Sequence, residues 1–243
     1  MQLSLLDALL AILVVTIGTA VQASIGFGLA MISAPLLMLI EPAFVPGAMI
    51  AIALLLAIWM TWDDRHAIDR STLKAGIAGR FIGTPPAALL LGTASAATFD
   101  LVFGTLVLLA VGMSLWHSNV KPTSRNVFLA TVAGGFMGTL SGIGGPPLAL
   151  VYQNANGAEL RANLSVLFLV GTAISLIALV VIGRFGLVDV AYTGILMIGI
   201  VAGVLCRGPV KRRLDQGSAR PWLLGLCTLS ALAVLARAGI ALM

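Results

Sequence analysis

Eight charge-free apolar runs fill this chain, at 8–40, 42–62, 81–99, 101–116, 126–158, 162–183, 190–206 and 221–236. The polar stretches between them are too short to hold a domain. A transmembrane helix needs about 20 apolar residues, so most runs match one crossing, and two are long enough for more. Of the 243 residues, 60% are hydrophobic and 9% charged, where a soluble domain carries roughly 25% charged residues. That leaves too little polar surface to wrap a water-soluble core. The runs are continuous and not alternating, which excludes a transmembrane β-barrel. The expected fold is all-α and polytopic, with the lipid bilayer as its first partner and no room for an ATP-binding motor.

The formal net charge is +5. In a soluble protein this would suggest nucleic acid; in short loops between apolar runs it reports orientation instead, and no nucleic-acid partner is expected. If every run crossed once, Arg65, Arg70, Lys74, Lys121, Arg125 and Arg184 would face one side. Arg161, Arg207, Lys211, Arg212, Arg213 and Arg220 would face the other, an even split that violates the positive-inside bias. If runs 8–40 and 126–158 are instead broken or re-entrant helix pairs, all of these except Arg184 share one side. The non-helical turns must then be buried in protein or face water.

Both long runs contain a glycine-rich interruption: Ser24-Ile25-Gly26-Phe27-Gly28 and Ser141-Gly142-Ile143-Gly144-Gly145-Pro146-Pro147. Each is followed by three further spans, which suggests two repeated halves, 1–120 and 121–243. A shift of 118 positions superposes Ile25-Gly26 on Ile143-Gly144 and Glu41 on Glu159. It also aligns Thr16, Ala20 and Ser24 with Gly134, Gly138 and Gly142, small residues along one helix face. Such faces could serve internal packing or a homodimer equally. Three full crossings per half would make the halves an inverted repeat.

Glycines at the breaks permit backbone conformations closed to other residues, and Pro146-Pro147 suits the first turn of a helix. Each break should therefore start a half-helix whose unpaired N–H groups and positive dipole end point into the protein. Opposed half-helices near mid-membrane are a recurrent transporter design, and their N-termini suit an anion.

The stretch Ser141 to Pro147, followed by Arg161-Ala162-Asn163, resembles the second-half signature of the sulfite exporter TauE/SafE family; Ile25-Gly26-Phe27-Gly28, with Pro35 downstream, resembles its first-half counterpart. The first break lacks the paired glycines and paired prolines of the second. The resemblance spans almost the whole chain in segment order. It implies a multi-pass protein of a bacterial inner membrane that moves small sulfur-containing anions such as sulfite or organosulfonates. On that basis the substrate-binding residues are expected to be Ser24, Gly26, Gly28, Ser141, Gly142, Gly144, Gly145 and Pro146. Arg161 suits planar oxyanions or is an ordinary loop arginine, and Asn163 is a hydrogen-bond donor or a helix cap. Rocking of one half against the other would expose the site alternately. An anion channel built from the same helix ends is the competing expectation.

The remaining polar residues carry little. Arg80, just before run 81–99, reads either as facing a cavity or as snorkelling to headgroups, the second being favoured. Glu41 and Glu159 read as caps or ion pairs near the interface. Cys206 and Cys227 have no metal or redox spacing and read as buried thiols. His66 and His117 fall in polar loops. No nucleophile triad, HExxH or phosphate-binding loop is present, so neither enzyme chemistry nor a cofactor is expected.

Overall fold

The computed structural model describes residues 3–116, 119–208 and 220–241, and among them the secondary structure is helical. The first long run divides into α1 (Leu5–Ile25) and α2 (Leu29–Ile40); α3 (Gly47–Asp63), α4 (Leu73–Thr93) and α5 (Ala96–Leu115) complete the first half. The second long run divides into α6 (Ser124–Ser141) and α7 (Pro146–Tyr152), followed by α8 (Gly157–Val181), α9 (Leu187–Leu205) and α10 (Arg220–Ala241). Side-chain caps open several helices. Ser4 accepts from the Asp7 N–H, Ser95 from that of Thr98, Thr123 from that of Asn126 and Asn156 from that of Glu159. Each satisfies a donor that the first helical turn leaves unpaired.

α2 folds back along α1: the Ser33 hydroxyl donates to the Val14 carbonyl at 3.2 Å, and Gly28 lies against Val21. α7 returns in the same sense, bringing Gly144 alongside Gly134 and Gly138 of α6. Both long runs are therefore helix pairs. Gly26 and Gly142 end α1 and α6 with φ of 96° and 77°, a left-handed conformation that costs a residue with a Cβ roughly 1–2 kcal/mol. These two glycines are 116 positions apart, two fewer than the shift of 118 that superposes the Ile-Gly dipeptides. The shift of 118 paired Ile-Gly dipeptides by their letters, whereas the geometric roles pair Gly26 with Gly142.

The register recurs in the packing. α4 lies parallel to α6, with the places a Cβ would take on Gly79 and Gly83 filled by the Phe128 and Val132 carbonyls. α9 lies parallel to α1, with Gly199 and Gly203 against the Ile12 and Thr16 carbonyls. Phe128 and Val132 stand 116 positions after Ile12 and Thr16. The small-residue faces thus serve internal packing. Elsewhere α3 packs on α8, α5 on α10, α2 on α10, α7 on α5, α3 on α9 and α8 on α4.

One end of the bundle gathers the basic loops. Arg161 at the start of α8 pairs with Asp64 after α3, and Arg207 after α9 pairs with Asp63. Gly76 near the start of α4 meets Val127 near the start of α6. In the same loop, the N–H and hydroxyl of Ser71 hold the Asp69 carboxyl below its ordinary pKa. The opposite end carries Arg184, which donates to the Ala94 carbonyl, and the Arg237–Asp100 ion pair. Lys211, Arg212, Arg213 and His117 lie outside the described residues.

α1, α5, α8 and α9 are long and apolar enough to cross a membrane. Leu89, Val181 and Leu187 point outward with 70%, 79% and 89% of their surface exposed, a distribution that water does not support and lipid does. Run 81–99 does not correspond to one span: α4 starts at Leu73, and the turn to α5 falls at Ala94 and Ser95. A charge-free run can begin only after Arg80, so bounding the span by charge concealed this earlier start. Cys227 is buried, but Cys206 is exposed, because it follows the last turn of α9.

Candidate functional site

The early start of α4 places Arg80 two turns inside the helix. Its side chain is 2% exposed. It is held between α6, α8 and the α6–α7 break, with Nη1 donating to the Gly134 carbonyl at 2.8 Å. Three glycines make the slot: a Cβ on Gly138 would stand 3.3 Å from Nη1, one on Gly144 would stand 3.2 Å from both terminal nitrogens, and one on Gly171 would stand 2.5 Å from Cζ. Among the described residues, Nε has no hydrogen-bond partner and no carboxylate pairs with Arg80. Removing a charge from water costs several kcal/mol after relaxation, and one carbonyl offsets only part of that.

Beside the guanidinium lies a cavity of about 40 Å³ where the two broken helix pairs meet α4 and α8. Gln22 and Gly28 come from the first break, Gly144 from the second, and Thr172 and Ser175 from α8. The Ser175 hydroxyl is hydrogen-bonded to Thr139 at 2.8 Å. Fewer backbone donors are available here than the half-helix argument implied. The Leu29 N–H donates to Gln22 Oε1 at 3.0 Å, the Ile143 N–H to Ser141 Oγ, and the Gly144 N–H to the Gly142 carbonyl. Pro146 and Pro147 have no N–H, and α7 is only seven residues long. Arg80 therefore supplies the positive charge that was expected from helix ends.

Of the ten residues singled out in the sequence, Gly28, Gly142, Gly144, Gly145 and Pro146 line this cavity. The other five do not. Ser24 donates to the Ala20 and Arg207 carbonyls, and Gly26 packs on Leu160 and Arg161. Ser141 donates to the Met137 carbonyl and caps the turn through Ile143. Both Nε and Nη2 of Arg161 reach Asp64, at 3.3 and 3.2 Å, at the basic end of the bundle. Asn163 accepts from the Asp69 N–H and donates to the Glu159 carbonyl. Glu41 and Glu159 sit at helix ends, Glu41 accepting from the Ala43 N–H and Glu159 exchanging hydrogen bonds with Asn156.

The residues missed were Gln22, Gly138, Gly171, Thr172, Ser175 and, above all, Arg80 as a cavity residue. Its signal was present: Arg80 is the one charge between Lys74 and Asp100. Taking the span to begin at Phe81 placed it at the interface, where snorkelling is the ordinary outcome.

The fold and site together define a multi-pass helical membrane protein built around a buried cationic centre at two helix breaks. The family model for the sulfite exporter TauE/SafE matches residues 10–234, and the chain belongs to that family. The family's description is that of a membrane exporter of sulfite. No curated protein and no solved structure matches the chain.

Proposed function

We propose that the chain is a secondary transporter that exports a small sulfur-containing anion, such as sulfite or an organosulfonate, and binds it at Arg80 between the two broken helix pairs. The observation that carries this reading is a buried guanidinium beside a cavity, its Nε without a partner among the described residues. An oxyanion seated there would neutralise the charge and accept from Nε, and the serine and threonine hydroxyls of α8 would lie along its edge. Desolvating an anion is costly, and a charge-assisted hydrogen bond to guanidinium is among the strongest offsets available.

Alternating access around the two breaks is the proposed mechanism, with 1–120 and 121–243 as inverted halves in a bacterial inner membrane. Support for the repeat comes from the glycine register of 116 and from the packing, in which α1 on α9 answers α6 on α4 and α3 on α9 answers α8 on α4. The gathered basic loops support placing that end in the cytoplasm. A negative-inside potential contributes about 2.3 kcal/mol per charge per 100 mV to anion export, so no coupling ion is required.

Counterflow in proteoliposomes preloaded with sulfite, thiosulfate, sulfoacetate, taurine, sulfate or acetate tests the reading. Labelled anion accumulating only against a preload of its own class establishes a carrier. Flux without such acceleration indicates a channel. Silence across the panel, with folded protein verified, overturns the proposal.

A further inference from the structure

A second cavity of about 460 Å³ adjoins the Arg80 pocket. The two share Phe27, Gly28, Met31 and Pro146, so the first break and the start of α7 form the wall between them. The smaller space holds on the order of three water-sized spheres, enough for a compact oxyanion head and little else. The larger space is walled chiefly by Val21, Ile32, Met113, Leu150 and Leu160, with Gln153 and Asn154 toward the basic end of the bundle. Its lining is mainly apolar, with Ser114, Gln153 and Asn154 as polar members.

We infer that this cavity is a subsite for the apolar tail of the transported anion, and that the preferred substrates are amphiphilic organic anions, alkanesulfonates by class, with head at Arg80 and chain in the larger cavity. The inference rests on the anion-site reading of Arg80 and narrows it. A straight chain passing Phe27 would exchange water for the thioether of Met31 and the aliphatic groups beyond. Burying one methylene is worth about 0.8 kcal/mol, close to fourfold in affinity.

The test is calorimetric titration of the full chain in lipid nanodiscs with sulfite and with methane-, propane- and hexanesulfonate, using empty nanodiscs as the blank. Affinity should climb about fourfold per methylene until the cavity is full. Ala149→Phe, which places a ring in the larger cavity, should compress the ratio between hexane- and methanesulfonate to near one. Leu150→Trp serves as a second filling variant if the first does not fold. Equal affinity across the series, with sulfite or methanesulfonate still bound, overturns the tail subsite and leaves the anion site intact. Absence of binding by every member, sulfite included, overturns both. Hexan-1-ol binding as tightly as hexanesulfonate would make the cavity a simple apolar void and overturn the subsite as well.

Discussion

Gly171 on α8 lies so close to Arg80 on α4 that a methyl group there would stand 2.5 Å from the guanidinium carbon. Gly171→Ala should therefore displace the guanidinium from its slot. The expected result is at least a tenfold loss of counterflow, with a stability cost of about 1–3 kcal/mol from overpacking. Parallel transport assays and thermal unfolding in detergent would measure both. Full transport in this variant would mean that the slot need not be tight.

Replacing Arg80 separates function from structure. A buried cation without a carboxylate is a liability to the fold, so Arg80→Gln, which removes the charge and keeps a donor for the Gly134 carbonyl, should leave the melting temperature unchanged or raised. Transport should fall to background in the same preparation. Arg80→Lys should recover little, because a compact ammonium cannot present the planar fork of donors. A Gln variant that transports normally but melts early would reduce Arg80 to a structural residue.

The second break permits no side chain at Gly144. A Cβ there would approach the Gly134 carbonyl to 2.6 Å, and that carbonyl accepts from Arg80 Nη1. Gly144→Leu should abolish transport while the protein still inserts, which membrane-fraction yield and counterflow would show together. Gly186→Ala is the control, since nothing lies near an added methyl and φ there is −142°; it should be silent in both assays.

At the basic end, Arg161 should behave as a strut. Its pair with Asp64 is partly shielded, with side-chain exposures of 21% and 15%, and a pair of that kind is worth about 1 kcal/mol. Arg161→Ala, Asp64→Ala and the double variant should cost similar amounts in thermal unfolding, the signature of a shared interaction. The substrate KM should stay within about twofold of the parent. A large rise in KM on changing Arg161 alone would favour the oxyanion-binding role that its guanidinium chemistry suits.

Helix pairing at the two breaks was legible because it follows from the distribution of Lys and Arg among the loops. Only a fold-back at Gly26–Gly28 and at Gly142–Gly145 brings the loops carrying Arg65, Lys121, Arg161 and Arg207 to one side. The site was legible in part. Gly142, Gly144 and Pro146 announce a break, and breaks line cavities in membrane proteins because irregular backbone cannot face lipid. Arg80 was not legible as a cavity residue, because its depth depends on where α4 begins. That depends in turn on Gly76, Gly79 and Gly83 being held helical by contact with α6, a tertiary effect invisible to local propensity. The Arg161 ion pair was not legible for the complementary reason: its partner Asp64 is 97 residues away.

The carbonyl-to-glycine seam between α4 and α6 has a mechanical corollary. Gly79 and Gly83 put no side chain of α4 into the seam, and the Thr131 hydroxyl and the Phe128 and Val132 carbonyls of α6 fill the space instead, so the two helices are packed too closely to slide freely past each other. The α1–α9 seam is built in the same way from Gly199 and Gly203. Each seam rivets a helix of residues 1–120 to one of residues 121–243. A rigid body built on either seam would draw its helices from both halves of the sequence, and a cut near 120 would separate the two sides of both seams.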